Sequence, residues 1–362
     1  MTNHSLNTRY TIVYLLILIL AFMAYIFSPN KDLDLYRWYY EKIPAVAYQD
    51  LGIFISNRIE TYSDFLYEVT CAIAYKNGIS LSIVNSFYIG LYYYFIFKII
   101  VYYRRLHNII LSHRDEIYII VFSFFSVLPI LSFSIARMLA SIDMLYIGIY
   151  FSLKKNYLFA IIFVLLSLLY HYGSVVFIIS FLLGAVFNVF QINKLVHTSL
   201  CRYLLYGSFG VLCFLSSHIL SEIQNLIVGA GFLTSRYQES IYMTDLLHES
   251  VLQSNVLYLK FGKLFLIFLL LEEIVYLKKD KFVGNIGVAF FLVYCFFLGS
   301  MDFLGDRIMM FIPIFNGIFM CHIICNRKIR REYPVRQYLF MMVSILMSLW
   351  CMYAERSDFF LL

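Results

Sequence analysis

Residues 80–103 read SLSIVNSFYIGLYYYFIFKIIVYY and set the fold class of this chain. The stretch is apolar almost throughout, and Lys98 is its one charged residue. A helix that crosses a bilayer needs about 20 mostly apolar residues, and this stretch is long enough. We therefore predict a membrane-spanning helix here.

The composition of the whole chain agrees with that prediction. Of its 362 residues, 62% are hydrophobic and only 14% are charged. The core of a soluble protein could not hide so much apolar surface, so a membrane must be the solvent. The 32 Tyr residues suit the two interfaces between membrane and water. Nothing in the composition indicates a nucleic-acid partner.

Similar apolar runs recur along the chain and predict an all-α, polytopic transmembrane helical bundle with about eleven spans. The predicted spans are residues 10–27, 80–103, 117–133, 136–152, 156–170, 173–190, 203–220, 262–277, 283–300, 307–325 and 338–354. The first has no cleavage pattern of small residues after it, so we expect it to remain as a membrane helix. Residues 62–75 form a short segment that carries Asp64 and Glu68. This favours an interfacial or re-entrant helix, with a twelfth span as the alternative.

The predicted orientation rests on the basic residues, which gather in every second loop. Arg104 with Arg105, and Lys154 with Lys155, lie in two such loops. Cytoplasmic loops carry an excess of Lys and Arg, so these loops are predicted to face the cytoplasm. The N-terminus is then inside and the C-terminus outside.

Two long segments fall on the outer side in this topology, residues 28–79 and 221–261. Neither is of low complexity, and no internal repeat is visible. We expect both to be ordered outer loops with interfacial helices, within a single membrane domain of residues 1–362. Long ordered loops often carry function.

The seven Cys residues form no CxxC pair, and most lie in apolar segments. We interpret them as small buried hydrophobic residues. Cys321, His322 and Cys325 are close in sequence, but without a fourth ligand they make a poor zinc site. No metal and no cofactor is predicted.

The polar residues that are costly in a bilayer fall mostly on the predicted outer side. They are Asp32, Asp34, Tyr36, Arg137, His171, Arg236, Tyr237, Asp306 and Arg307. Asp143 lies inside a predicted span, six residues after Arg137 and therefore on another helix face. An intramembrane carboxylate is a functional candidate, but we do not include Asp143 in this set.

Each outer residue also has a simpler interpretation. An Arg at a helix end can extend its charge to the lipid headgroups. His171 can be a structural hydrogen-bond partner, and Asp306 can neutralise Arg307 locally. Small residues flank Arg137 in the segment 134–141, which favours close packing there over contact with lipid.

Taken together, the outer residues suit glycosyl transfer from a polyprenyl-pyrophosphate donor. Guanidinium groups bind phosphate through bidentate hydrogen bonds, and a carboxylate or imidazole can take a proton from an attacking sugar hydroxyl. The predicted roles are pyrophosphate binding for Arg137, Arg307 and Arg236, general base for His171, Asp34 or Asp32, and substrate binding for Tyr36, Tyr237 and Asp306.

Four short motifs follow one another along the chain: DLDLYRWYY at residues 32–40, RMLA at 137–140, LLYHYGS at 168–174 and RI at 307–308. In order and spacing they resemble the EpsG-type branch of the Wzy polysaccharide polymerases over most of the chain. The outer loop that holds Arg236 and Tyr237 resembles the region where these enzymes engage glycan.

This resemblance implies a membrane glycosyltransferase at the outer face of a bacterial inner membrane. Its substrate would be an undecaprenyl-pyrophosphate-linked oligosaccharide repeat, polymerised into O-antigen, capsule or another surface polysaccharide. The implied partners are this lipid-linked glycan and membrane lipid, with a chain-length regulator protein as a further partner left open.

Two other functions stay open at this point. An O-antigen ligase, or another transferase of polyprenyl-linked sugars, would use the same Arg and acidic groups. A transporter or flippase for the glycan lipid belongs to a different class, and it would need a polar path through the bilayer and often has inverted repeats.

Overall fold

The computed structural model describes residues 10–26, 53, 56, 65–125, 136–192, 207–208, 211, 215, 284–290, 292–293 and 310–325. Within these ranges the secondary structure is helical and includes no strand. The helices are α1 (Thr11–Ile26), α2 (Leu66–Lys76), α3 (Leu81–Leu106), α4 (His113–Phe125), α5 (Ala136–Leu153), α6 (Tyr157–Tyr170), α7 (Val175–Phe190) and α8 (Ile312–Cys325). A 3-10 turn, Tyr172–Ser174, joins α6 to α7. The all-α prediction is confirmed for this part of the chain.

The chain divides into two compact units, residues 1–175 with 312–362, and residues 176–311. In the first unit α3 is the central helix, because it contacts α1, α2, α4, α5 and α8. The hydroxyl of Ser80 accepts the backbone N–H of Ile83 at 3.4 Å and so caps the start of α3. The buried side chains of α3 include Ile89, Ile96 and Ile99. An apolar helix of this length therefore lies inside the bundle.

The outward faces of several helices are apolar. On α1 the residues Val13, Ile17 and Leu20 are buried, whereas Ile12 and Leu18 are 62% and 64% exposed. Large hydrophobic side chains are also exposed along α6 and α7. Continuous apolar surface of this kind is unfavourable in water and suits contact with lipid.

Two helices among the described residues, α3 and α5, are long and apolar enough to cross a membrane by length and composition alone. Three further apolar helices, α1, α6 and α7, are shorter. These five lie within predicted spans or extend them by a few residues. The total number of spans and their orientation stay predictions.

Several helices end at a residue with a left-handed backbone. Gly78 after α2, Asn108 after α3 and Lys155 after α5 have φ of 68°, 50° and 62°. After α5, the N–H of Asn156 donates a hydrogen bond to the carbonyl oxygen of Phe151 at 2.9 Å. This closure joins α5 to α6 as a tight antiparallel hairpin.

An ion pair holds α3 and α4 together, and both helices pack closely against α8. The ion pair between Arg104 Nε and Glu116 Oε1, at 3.0 Å, joins the end of α3 to the start of α4. A side chain at Gly317 of α8 would collide with Ile100 and Ser123. Gly317 therefore permits the close approach of α8 to both helices.

The second unit has its own close contact. A Cβ at Gly184 of α7 would lie 2.7 Å from the Cα of Ile286, so only glycine fits at this crossing. Phe177, Phe181 and Phe311 pack in one aromatic cluster, with centroids 4.5 Å apart for Phe177 and Phe311.

Three predictions from the sequence concern the start of α8, the segment 62–75 and the burial of the Cys residues. Helix α8 begins at Ile312 after a turn at residues 310–311, and the predicted helix start at Arg307 lies outside the described residues. The described part of the segment 62–75 lies mostly in the short helix α2, Leu66–Lys76, whose length suits the interfacial interpretation. Cys71 and Cys321 are buried as predicted, but Cys325 is exposed because it ends α8.

The described turns allow a direct test of orientation. Lys76 and Ile110 are both exposed and lie beyond opposite ends of α3, which is about 39 Å long. In a variant whose seven native Cys are replaced by Ala, a membrane-impermeant maleimide added to sealed right-side-out vesicles should modify a Lys76→Cys variant. It should leave an Ile110→Cys variant unmodified until detergent is added. The opposite pattern would reject the predicted topology.

Candidate functional site

Two of the predicted site residues, His171 and Arg137, lie in the described part of the chain. The others lie outside the described residues: Asp32, Asp34, Tyr36, Arg236, Tyr237, Asp306 and Arg307. The local geometry of the site is therefore built from α5, α6 and the 3-10 turn that follows α6.

His171 ends α6 in an extended backbone conformation with φ of −160°. Its N–H still donates to the carbonyl oxygen of Ser167 at 3.0 Å, and its own carbonyl oxygen accepts the N–H of Ser174 at 3.0 Å. The side chain is only 8% exposed. The imidazole is therefore held on a sharp turn between two helices instead of lying along a helix surface.

The imidazole of His171 and the side chain of Met138 both lie close to Gly173. A Cβ placed on Gly173 would lie 3.0 Å from His171 Nε2 and 3.3 Å from the terminal methyl group of Met138. Met138 directly follows Arg137 in the first turn of α5. The fold thus brings His171 to the end of α5 that carries Arg137, although the two residues are far apart in sequence.

Arg137 is half-buried in the first turn of α5. Its neighbours Ala136, Ala140 and Ser141 are at most 1% exposed, which confirms the predicted close packing of this segment. The first backbone N–H groups of a helix have no partner within the helix, and they favour a nearby anion. A guanidinium group at this position suits phosphate binding.

Three buried serines fix the turn at His171 to α5. Ser141 Oγ donates to the carbonyl oxygen of Ser167 at 2.8 Å, which is the same oxygen that accepts the His171 N–H. Ser167 Oγ donates to the carbonyl oxygen of Val164 at 2.6 Å and lies 3.5 Å from Ser174 Oγ. These bonds set the position of His171 relative to the start of α5.

A tyrosine pair anchors the same end of α6 to α2 and α3. Tyr88 OH donates to Tyr170 OH at 3.0 Å, and Thr70 Oγ1 lies 3.3 Å from the same oxygen. Thr70 belongs to α2, within the segment predicted to form the first outer loop. The residue directly before His171 is therefore tied to that segment.

Asp143 lies six residues along α5 from Arg137, on another face of the helix, and is completely buried. Within the described part of the chain, neither carboxylate oxygen has a hydrogen-bond partner. The tyrosines Tyr88, Tyr92 and Tyr146 are close enough to interact with it electrostatically. Burial of this carboxyl group should therefore lower the free energy of unfolding, since a polar group without a partner is destabilising in an apolar interior.

Asp143→Leu should raise the melting temperature of the purified protein, because Leu has the same branching and needs no hydrogen bond. The expected gain in the free energy of unfolding is about 1–3 kcal/mol. Ser141→Ala is the matched control on the same helix, and it should lower stability by about 1 kcal/mol because it removes a satisfied buried bond. A lower melting temperature for Asp143→Leu would show that the carboxylate has a stabilising partner.

Two other polar groups offer no catalytic chemistry here. Burial raises the pKa of the Cys71 thiol to about 12, so it is a poor nucleophile. His322 Nε2 lies 3.0 Å from Tyr103 OH, so a hydrogen bond between two helices explains the position of this imidazole. Across the described ranges no group of three or more His, Cys, Asp or Glu could hold a metal ion.

Sequence reasoning did not identify Met138, Gly173 and the buried serines as parts of the site. Gly173 and Ser174 stand inside the LLYHYGS motif, and Ser141 follows the RMLA motif. The sequence therefore contained an indication of these residues, since small residues follow both His171 and Arg137 within four positions. Their partners became evident only when α5 and α6 were placed side by side.

The helical fold with its apolar outer surfaces is that of a membrane protein, and the two described candidate residues, His171 and Arg137, lie at the ends of α6 and α5. The model of the EpsG family matches residues 10–362, so the chain belongs to the EpsG family. This confirms the resemblance seen in the sequence. The family implies a function of the membrane polysaccharide polymerase type, similar to a glycosyltransferase. The comparisons with curated proteins and with solved structures found no significant match.

Proposed function

We propose that this protein joins oligosaccharide repeats carried on undecaprenyl pyrophosphate into a surface polysaccharide, at the outer face of a bacterial inner membrane. Membership of the EpsG family over nearly the whole chain carries this proposal. The position of His171 also supports it: Gly173 lies close both to the His171 imidazole and to Met138, the residue after Arg137, and the proposed reaction needs a base and a phosphate-binding group close together.

In the proposed reaction a hydroxyl of one repeat attacks the anomeric carbon of the sugar that is linked to pyrophosphate on another. A glycosidic C–O bond forms, and the bond from the anomeric carbon to the phosphate oxygen breaks. His171, Asp34 or Asp32 accepts the hydroxyl proton. Undecaprenyl pyrophosphate leaves with the bonding electron pair.

Arg137, Arg307 and Arg236 would stabilise the negative charge that develops on the leaving pyrophosphate. The first turn of α5 suits this role because its backbone N–H groups and the Arg137 guanidinium lie at one helix end. Tyr36, Tyr237 and Asp306 would bind the glycan. The turn with the serines Ser141, Ser167 and Ser174 would hold the base in place.

The test is polymer formation by the purified full-length protein in liposomes that contain the lipid-linked repeat. A ladder of products, each longer by one repeat, is the expected result, with release of undecaprenyl pyrophosphate. Transfer of the repeat to a core-lipid acceptor and not to a second repeat would identify a ligase instead. Movement of the lipid across the bilayer without a new glycosidic bond would identify a transporter.

A further inference from the structure

A cleft of about 210 Å³ lies between α1, α3 and α5, away from the candidate site. Tyr14, Tyr102 and Tyr150 line it together with Phe97. Tyr88, which contacts the candidate site, precedes the last turn of α3 by more than four helical turns, or about 25 Å along the axis. The cleft therefore lies near the other end of the bundle.

Two cations of α3, Lys98 and Arg105, also line the cleft, and none of the described lining residues is acidic. Neither cation forms an ion pair with another described residue, whereas the adjacent Arg104 pairs with Glu116. Lys98 Nζ lies 5.6 Å from the centre of the Phe97 ring, so its ammonium group rests against the aromatic wall. The cleft has positive charge that no described side chain neutralises.

We propose that this cleft binds the phosphate headgroup of an anionic phospholipid from the cytoplasmic leaflet. Basic pockets between membrane helices on the cytoplasmic side recognise such headgroups. Arg104 and Arg105 in the last turn of α3 place this end of the helix at the cytoplasmic surface by the positive-inside rule.

The size and surroundings of the cleft favour a lipid. A volume of 210 Å³ is below the range of about 300–1,000 Å³ that encloses a drug-sized ligand, so a headgroup fits but a glycan repeat does not. Beside the cleft, α1 exposes Ile12 and Leu15 by 62% and 53%. This apolar face gives the acyl chains a surface to lie on while the headgroup occupies the cleft.

The test is native mass spectrometry of the full-length protein in detergent, titrated with phosphatidylglycerol and separately with phosphatidylcholine. The unaltered protein should retain phosphatidylglycerol in preference to phosphatidylcholine. In the Lys98→Gln/Arg105→Gln variant the affinity for phosphatidylglycerol should fall about 30-fold, since each cation contributes to headgroup attraction. Lys98→Arg/Arg105→Lys should bind nearly as well as the unaltered protein.

Arg114→Gln/Lys155→Gln is the matched control, because it removes two exposed cations that do not line the cleft. Its affinity should change less than about threefold. An equal loss in both double variants would show diffuse attraction and overturn the proposal, as would no loss in either. Displacement of the lipid by inorganic phosphate, but not by chloride at the same ionic strength, would assign the cleft to a free anion instead. Arg105→Gln alone, at an exposed position, provides the same comparison if the double variant fails to fold.

Discussion

Arg137→Ala should lower the rate of polymer formation about 100- to 1,000-fold, because it would remove the proposed charge-assisted contact to the developing pyrophosphate. Arg307→Ala should have a loss of the same size if both groups bind the same pyrophosphate. The measurement is the initial rate of repeat joining in liposomes, with each variant first shown to insert at the normal level. The loss should appear in kcat as well as in kcat/KM, since the contact is strongest in the transition state.

Arg137→Lys should recover only part of the activity, because Lys keeps the charge but lacks the planar guanidinium fork. Arg114→Ala is the control, since Arg114 is an exposed cation in the first turn of α4 and lies outside the proposed site. Near-normal rates in both Arg137→Ala and Arg307→Ala would contradict the assignment of the pyrophosphate site.

His171→Ala should lower the rate about 100- to 10,000-fold if the imidazole is the general base. Asp34→Asn and Asp32→Asn test the alternative bases, and the variant of the true base should show the largest loss. The same liposome assay makes this comparison. A His171→Ala rate within about threefold of the unaltered protein would leave only a structural role for the imidazole.

Gly173→Ala tests the position of the imidazole without removing it. The new methyl group would lie 3.0 Å from Nε2, so the ring or the Met138 side chain must move. A displacement of about 1 Å at a reacting group can cost about 100-fold, so a loss of at least 10-fold in kcat is expected. Gly90→Ala is the matched control on α3, since its nearest neighbour, the Ala21 Cβ, would lie at an ordinary 3.7 Å. Equal rates for the two glycine variants would show that the Gly173 contact does not position His171.

Most helix positions in the described residues could be predicted from the sequence. The spans 136–152 and 156–170 correspond closely to α5, Ala136–Leu153, and α6, Tyr157–Tyr170. These helices could be predicted because a helix that spans a bilayer needs a long apolar run, and polar turn residues separate one run from the next. Helix ends were less accurate: α4 begins four residues before its predicted start at residue 117, where Ser112 and Asp115 cap it.

The candidate site could be predicted only as a set of residue types. The motifs at residues 137–140 and 168–174 indicated a phosphate-binding group and a base, and these roles stay predictions. They did not show that His171 and Met138 both lie close to Gly173, or that Ser141 shares the Ser167 carbonyl oxygen with His171. Those contacts join different helices, and local sequence carries no information about the distance between them.

The amino-acid sequence alone established a helical membrane protein, since apolar runs of this length can satisfy their backbone polar groups in lipid only as helices. Four ordered motifs also indicated a resemblance to the EpsG family, and the family match over residues 10–362 confirms that resemblance. The tertiary structure was needed to place the imidazole of His171 beside the first turn of α5. The tertiary structure was also needed to show that Lys98 and Arg105 line one cleft between three helices, where no described carboxylate pairs with them. Both features depend on how helices pack, and packing is set by long-range contacts such as those at Ser141 and Gly317.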